Sequence, residues 1–345
     1  MLRSVPLLDE EGTMGARVVA TALLLFGTLS VLSSATWAQT QVRADPARDS
    51  TFVLPRTSWG DPDLQGAWDY RTITPLERRP ELGDRAYYTD EEIAELEGRA
   101  ARRMDRPPAD DAANLVHAQY MTDPGRFVDE SRRTSLIIDP PNGRIPALTP
   151  QAEARQEAAR AATGGRGRAA DSFVDRTLME RCITRGLAGA LLPSIYNNNL
   201  LISQGPGYVA ITHEMIHETR IVPLDGREFS GRRSYMGESR GHFEGDTLVV
   251  ATRNFNGKAT YRGADENLVL TERYTRVGPD AIDFRLTFED ETHWTRPWTA
   301  RYTMRPTEGG FYEYACHEGN YGLRNILQNA RDEERTRADA APSGD

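Results

Sequence analysis

Lysine is nearly missing from this chain. Of its 42 basic residues only Lys258 is a lysine, and the other 41 are arginines. A phosphate-binding P-loop needs a lysine after its glycine, and Schiff-base chemistry needs a lysine amine. Lys258 follows Asn256-Gly257 in a turn context with no such loop, so both chemistries are set aside. An excess of positive charge is also lacking: 51 acidic residues against 42 basic ones give a net charge of −9. That balance is wrong for a nucleic-acid binder, and no nucleic-acid partner is expected. No organic-cofactor motif is visible and no metal ligand set is assigned, so no cofactor is expected.

Long apolar runs are scarce as well. There is one, Val18 to Leu32, of 15 residues. It is short for a membrane span, which takes about 20 residues. Arg17 precedes it and small residues up to Ala38 follow, the pattern of a secretory signal cut after Ala38. Residues 1–38 are read as that signal, with translation starting at Met14 because Asp9, Glu10 and Glu11 spoil a positive leader. The expectation is a periplasmic or secreted protein with no stable membrane anchor after cleavage. Only two cysteines occur, Cys182 and Cys316. An oxidising compartment favours a disulfide between them.

What is present is a soluble-protein composition, 39% hydrophobic and 27% charged, enough for a sizeable core. Residues 39–57 read as a linker, 58–330 as a single domain and 331–345 as a disordered tail. Thr89-Asp90-Glu91-Glu92 fits a capping box, which predicts a helix over 90–104 with Ile93, Leu96 and Ala100 on one face. Thr149-Pro150 predicts a second helix over 150–162, stopped by Gly164-Gly165. A first strand is expected over Asp63–Tyr70, and a hairpin over 135–148.

From Leu200 onward, short strands alternate with turns such as Gly205-Pro206-Gly207, Glu244-Gly245-Asp246 and Gly278-Pro279-Asp280. Ile282, Phe284, Leu286 and Phe288 share one face and Asp283, Arg285, Thr287 and Glu289 the other, the period of a half-buried strand. A last strand is expected over Tyr312–Ala315. So many strands need their edges managed, and closure does so. The fold class is therefore mainly β, an antiparallel meander closing into a lipocalin-like barrel with a partly helical N-terminal segment. A β-sandwich is the alternative.

Several motifs occur together: Pro62-Asp63-Leu64-Gln65-Gly66, Thr74-Pro75-Leu76-Glu77-Arg78, Tyr196-Asn197-Asn198-Asn199 and Pro223-Leu224-Asp225-Gly226-Arg227. Glu244-Gly245-Asp246-Thr247-Leu248-Val249-Val250, Trp294-Thr295-Arg296-Pro297-Trp298-Thr299 and Tyr314-Ala315-Cys316-His317-Glu318-Gly319-Asn320-Tyr321-Gly322 accompany them. In this combination the chain resembles a family of secreted bacterial proteins over about residues 58–330. The resemblance implies export and a shared fold and says nothing of a reaction. Gly66-x-Trp68 on a first strand is similar to lipocalin-like barrels.

Two motifs tempt a hydrolase reading. His213-Glu214-Met215-Ile216-His217 matches H-E-x-x-H, which binds zinc when a helix brings both histidines to one face. Its neighbours are strand residues, and on a strand positions four apart lie about 13 Å from each other. Gly237-Glu238-Ser239-Arg240-Gly241 matches G-x-S-x-G, but a hairpin follows where a nucleophile elbow needs a helix. A metal-dependent hydrolase using His213, Glu214 and His217 is kept as an alternative.

The leading expectation is a pocket in the barrel. Val209, Ile211, His213, Met215 and His217 would share one strand face. Candidate acid–base groups are His217, Glu214, His242, Glu272 and His317, since imidazole titrates near neutrality. Candidate substrate contacts are Arg220, Tyr196, Asn198, Trp294, Trp298 and Tyr321. The expected function is an exported enzyme acting on a small organic molecule by acid–base chemistry, as an isomerase, lyase, hydratase or cyclase. A non-catalytic carrier of an apolar ligand is the alternative from a different class.

Overall fold

The computed structural model describes residues 52–105, 122–162, 170–259, 261–264 and 266–340. The stretch read as a signal sequence, most of the stretch read as a linker, and residues 341–345 lie outside the described residues. The strands are β1 (Gly66–Asp69), β2 (Ile137–Asp139), β3 (Asn199–Gly205), β4 (Tyr208–His213) and β5 (Thr219–Pro223). They continue with β6 (Glu238–Glu244), β7 (Thr247–Arg253), β8 (Val269–Gly278), β9 (Ala281–Glu289) and β10 (Trp298–Pro306). The helices are α1 (Asp90–Met104), α2 (Pro150–Ala162), α3 (Leu187–Ala190) and α4 (Tyr321–Ala340).

Nine strands form one antiparallel path, β5-β4-β3-β1-β10-β9-β8-β7-β6, and β2 pairs with the start of β10 off that path. The sheet is a nearly closed barrel. It is not a single meander, because β1, first in sequence, lies between β3 and β10. Eight antiparallel steps leave β5 and β6, the two ends of the path, running in the same direction. Parallel neighbours need a long crossover rather than a tight turn, and residues 224–237 supply it. Side chains close the seam. Arg220 on β5 reaches Ser239 on β6 at 3.3 Å. Gly241 leaves room there for Val222 and Leu224; a methyl group on it would stand 2.8 Å and 2.9 Å from their side chains.

Alternation builds the core. On β9, Ile282, Phe284, Leu286 and Phe288 are all fully buried, as period two requires. They meet inward residues of the neighbouring strands: Phe284 lies 4.7 Å from Tyr274 and 4.9 Å from Tyr302, ring centre to ring centre. Phe288 stacks on Trp298 at 3.8 Å. Trp68 is buried under the Arg276 guanidinium and donates its Nε1–H to the Leu64 carbonyl at 2.9 Å.

The long connection from β1 to β3 covers the end of the barrel where β4 ends and β10 begins. Within it, α3 sits over the strands: the Tyr70 hydroxyl donates to the Ala190 carbonyl at 2.7 Å, and that of Tyr302 donates to Leu191. Thr89 caps α1 as its sequence indicates, with its Oγ1 accepting from Glu92 N at 3.2 Å and Glu92 Oε2 accepting from Thr89 N at 2.9 Å.

Four local expectations are corrected. The segment from 331 onward is not a disordered tail up to residue 340; it continues the helix α4, where Arg337–Glu333 and Arg331–Glu334 pairs at helical spacing support it. Tyr312–Ala315 forms no strand, and neither does 144–147, where Leu148 makes only an isolated bridge to Trp294. The face Val209–Ile211–His213 does not run on to Met215 and His217. The chain leaves β4 after His213 and makes a 3₁₀ turn in which Ile216 and His217 take left-handed φ values of 57° and 43°.

Candidate functional site

The candidate residues divide into three places. The first is the barrel interior. Arg220 and Glu272 face each other there in a bidentate pair, 2.8 Å for each contact, with side chains only 4% and 0% exposed. The Tyr274 hydroxyl donates to Glu272 Oε2 at 2.6 Å, and Ser239 and Thr252 share a hydrogen bond at 2.8 Å beside Arg220. Burial pushes the Arg220 pKa down, but the charge and hydrogen bonds of Glu272 outweigh it and the net direction is up. Burial, reinforced by the Glu272 charge, holds the Tyr274 hydroxyl well above its ordinary value. Arg220 and Glu272 thus neutralise each other inside the sheet, while the buried Arg220 Nε has no hydrogen-bond partner among the described residues. His213 lies on the same interior face, wholly buried, and neither ring nitrogen has a hydrogen-bond partner among the described residues. Burial, and then the Arg220 charge, lower its pKa from 6.5 to about 3, so the ring is neutral.

The second place is the covered mouth, at the end of β4. Glu214 is buried, and its carboxylate accepts from Asn199 Nδ2 at 2.6 Å and Tyr312 N at 3.3 Å. With Tyr196, Asn197, Tyr314 and Arg71 it lines a cavity of about 540 Å³. Tyr196 hydrogen-bonds Tyr314, and burial together with that bond pushes the Tyr314 hydroxyl up to about 12. His217 is exposed, with Nδ1 3.2 Å from the Tyr314 carbonyl oxygen. That oxygen can only accept, so Nδ1–H donates to it. His213 therefore points into the barrel while His217 is held at the surface, and the two do not face one point.

A second cavity of about 700 Å³ shares Tyr196, Asn197 and Tyr314 and runs along the Cys182–Cys316 disulfide, whose α-carbons are 5.7 Å apart. Four non-glycine residues of this region take left-handed φ values: Cys182 (54°), Asn197 (51°), Ile216 and His217. Backbone strain of this kind costs about 1–3 kcal/mol per residue and gathers at functional sites.

The remaining candidates lie apart. His242 is on the outer face of β6, paired with Glu244 at 3.1 Å. His317 and Tyr321 are exposed near the disulfide and at the start of α4. Asn198 is buried and braces its own loop, accepting from Ser194 N at 2.7 Å and donating to Ser194 O at 2.9 Å. Trp294 and Trp298 are buried in the core, Trp294 edge-on to Trp298 at 5.6 Å. Tyr261 stands in front of them, 5.2 Å from Phe288 and 6.4 Å from Trp298.

The third place is a cleft of about 1160 Å³ walled by α1, the chain after β1 and the α3 segment, with Tyr261 on one side. Leu96 and Ala100, the stripe legible in the α1 sequence, form part of its wall. Sequence reasoning missed this cleft, and with it Arg185 and Tyr261. Arg185 donates to Ser194 Oγ at 2.7 Å, and its charge acts on Tyr70, Tyr261 and Tyr314 together. The spacing of Ile93, Leu96 and Ala100 marked one helical face; nothing in the sequence marked what that face meets.

No protein-family model matches this chain, and no curated protein or solved structure was found similar to it.

Proposed function

We propose that this is an exported small-molecule-binding protein whose ligand sits in the cleft beside α1, next to the covered mouth of the barrel. The carrying observation is a contrast. The inward side chains of the strands pack on one another, with Arg220 and Glu272 paired among them, whereas the cleft beside α1 offers about 1160 Å³ lined by both apolar and polar groups. A space of that size suits a drug-sized organic molecule. Export is supported by the Cys182–Cys316 bond, which an oxidising compartment preserves.

The test is a thermal-shift screen of small organic compounds on the full chain, repeated on Ala100→Trp. Ala100 lines the cleft, and an indole there projects into it and takes up part of its space. Compounds that stabilise the wild-type chain should stabilise the variant less. Undiminished binding by the variant would place the ligand elsewhere and reject the reading.

A second reading, an acid–base enzyme, is favoured by one specific observation: the buried Glu214 carboxylate opens onto a cavity shared with the Tyr196–Tyr314 pair. In this reading Glu214 takes a proton from the bound molecule and a tyrosine hydroxyl returns one. His217 Nε2 is the second available base. Glu214→Gln should then bind the ligand and leave it unconverted. Recovery of unchanged ligand after long incubation with the wild-type chain would leave a carrier.

A further inference from the structure

Acidic residues outnumber basic ones in this chain, 51 to 42, so a surface chosen at random should carry more carboxylates than arginines. The cleft beside α1 does the reverse. Among the described residues its lining holds five arginines, Arg79, Arg99, Arg103, Arg185 and Arg262, and no aspartate or glutamate. We propose that the ligand of this cleft is an amphipathic organic anion, an apolar body with a carboxylate, phosphate or sulfonate head. The proposal rests on the reading that the cleft is the ligand site, and it names what that site selects.

The charge there is poorly neutralised. Among the described residues Arg79, Arg103 and Arg185 form no salt bridge. Arg99 pairs with Glu95 at 3.3 Å and Arg262 with Glu77 at 3.5 Å, both pairs substantially exposed to water. Exposed pairs of this kind contribute little to stability and are readily exchanged for a better anion. Arg185 is different. It alone of the five is half-buried, it donates to the neutral Ser194 hydroxyl, and it sits against the Tyr261 side of the cleft. A guanidinium in partly desolvated surroundings binds an oxyanion through two parallel N–H bonds, more strongly than in water.

The rest of the lining explains why the anion has an apolar body. Ile73, Leu76, Leu96, Met104, Leu136 and Leu192 line the same space. A bare inorganic anion would leave that surface wet. An acyl or aryl group covers it and removes that apolar surface from water, which is favourable. Arginine suits this arrangement, since its planar fork meets an oxyanion with two N–H groups while its stem packs on apolar neighbours.

The test compares decanoate and 2-naphthoate with decan-1-ol and 2-naphthylmethanol by isothermal titration calorimetry on the full chain. The expected result is that at least one carboxylate binds at least tenfold more tightly than its alcohol, and that rising NaCl weakens the acid but not the alcohol. Arg185→Gln should weaken the carboxylate by about tenfold, the loss of one charge-assisted bond, and leave the alcohol unchanged. Arg103→Gln, on the exposed side of α1, should weaken it by a smaller factor and serves if Arg185→Gln does not fold. Alcohols binding as tightly as acids, or both arginine variants binding the acid at wild-type affinity, would overturn the anion proposal and leave the cleft reading standing. Wild-type affinity for the probes in Ala100→Trp, or no binding by any of the four probes, would reject the cleft reading itself.

Discussion

Arg220 on β5 and Glu272 on β8 hold each other in a two-point ion pair inside the barrel, 2.8 Å at each contact, although their strands are not neighbours in the sheet. The pair crosses toward the open seam between β5 and β6. Removing one partner of a buried pair leaves an uncompensated charge and costs about 3–5 kcal/mol. Glu272→Gln and Arg220→Met should each destabilise by that order in urea unfolding, and the double variant should cost far less than the sum. Additive costs would mean that the two side chains are not coupled.

His213 makes stability depend on pH. Its pKa falls from 6.5 unfolded to about 3 folded, because burial and the Arg220 charge disfavour the imidazolium. A lowered pKa means that the unfolded chain binds the extra proton first. The contribution is whole above pH 6.5, declines as pH falls below it, and is lost by about pH 3. The total is a few kcal/mol, at about 1.4 kcal/mol per pH unit. Unfolding free energies of the wild-type chain and His213→Leu between pH 7 and 4 should therefore diverge, with the variant less sensitive to acid. Parallel curves would contradict the neutral buried ring.

Cys182 and Cys316 close a loop of 134 residues. Tying so long a loop restricts the unfolded chain, a stabilisation of roughly 4–5 kcal/mol in the chain-entropy account. Thiol titration of denatured, unreduced protein should find none free. Cys182→Ser/Cys316→Ser should lower the melting temperature and detach the segment of Tyr314 and His317 from the mouth. An unchanged melting temperature would show that the bond constrains little.

Gly241 is the tightest point of the β5–β6 seam. A methyl group there would overlap Val222 Cγ1 at 2.8 Å and Leu224 Cδ2 at 2.9 Å. Both are side chains that can turn aside, so Gly241→Ala should cost about 1–3 kcal/mol, the range for overpacking, and speed hydrogen exchange along β5. A neutral substitution would mean that the seam is slack.

Local physics was legible in the residues alone. Thr89 and Glu92 marked the start of α1, period two marked β9, and glycine-rich turns marked the hairpins, because each signal depends only on residues a few positions apart. The oxidation of Cys182 and Cys316 was legible for a simpler reason, since two cysteines allow one internal pairing. The placing of β1 between β3 and β10 was not legible, because strand pairing across about 130 residues leaves no local pattern. Glu272 read as a possible catalytic base, and only the closed sheet brought Arg220 and Tyr274 onto it. His213 and His217 read as one strand face until the left-handed turn at Ile216 separated an interior ring from an exposed one. The cleft depended most on tertiary structure. Its arginines come from α1, from the loop after β1, from the α3 segment and from the turn at Arg262. The sequence determined that arginine carries nearly all of this protein's positive charge; the packing of the long β1–β3 connection over one mouth decided where five of those charges meet.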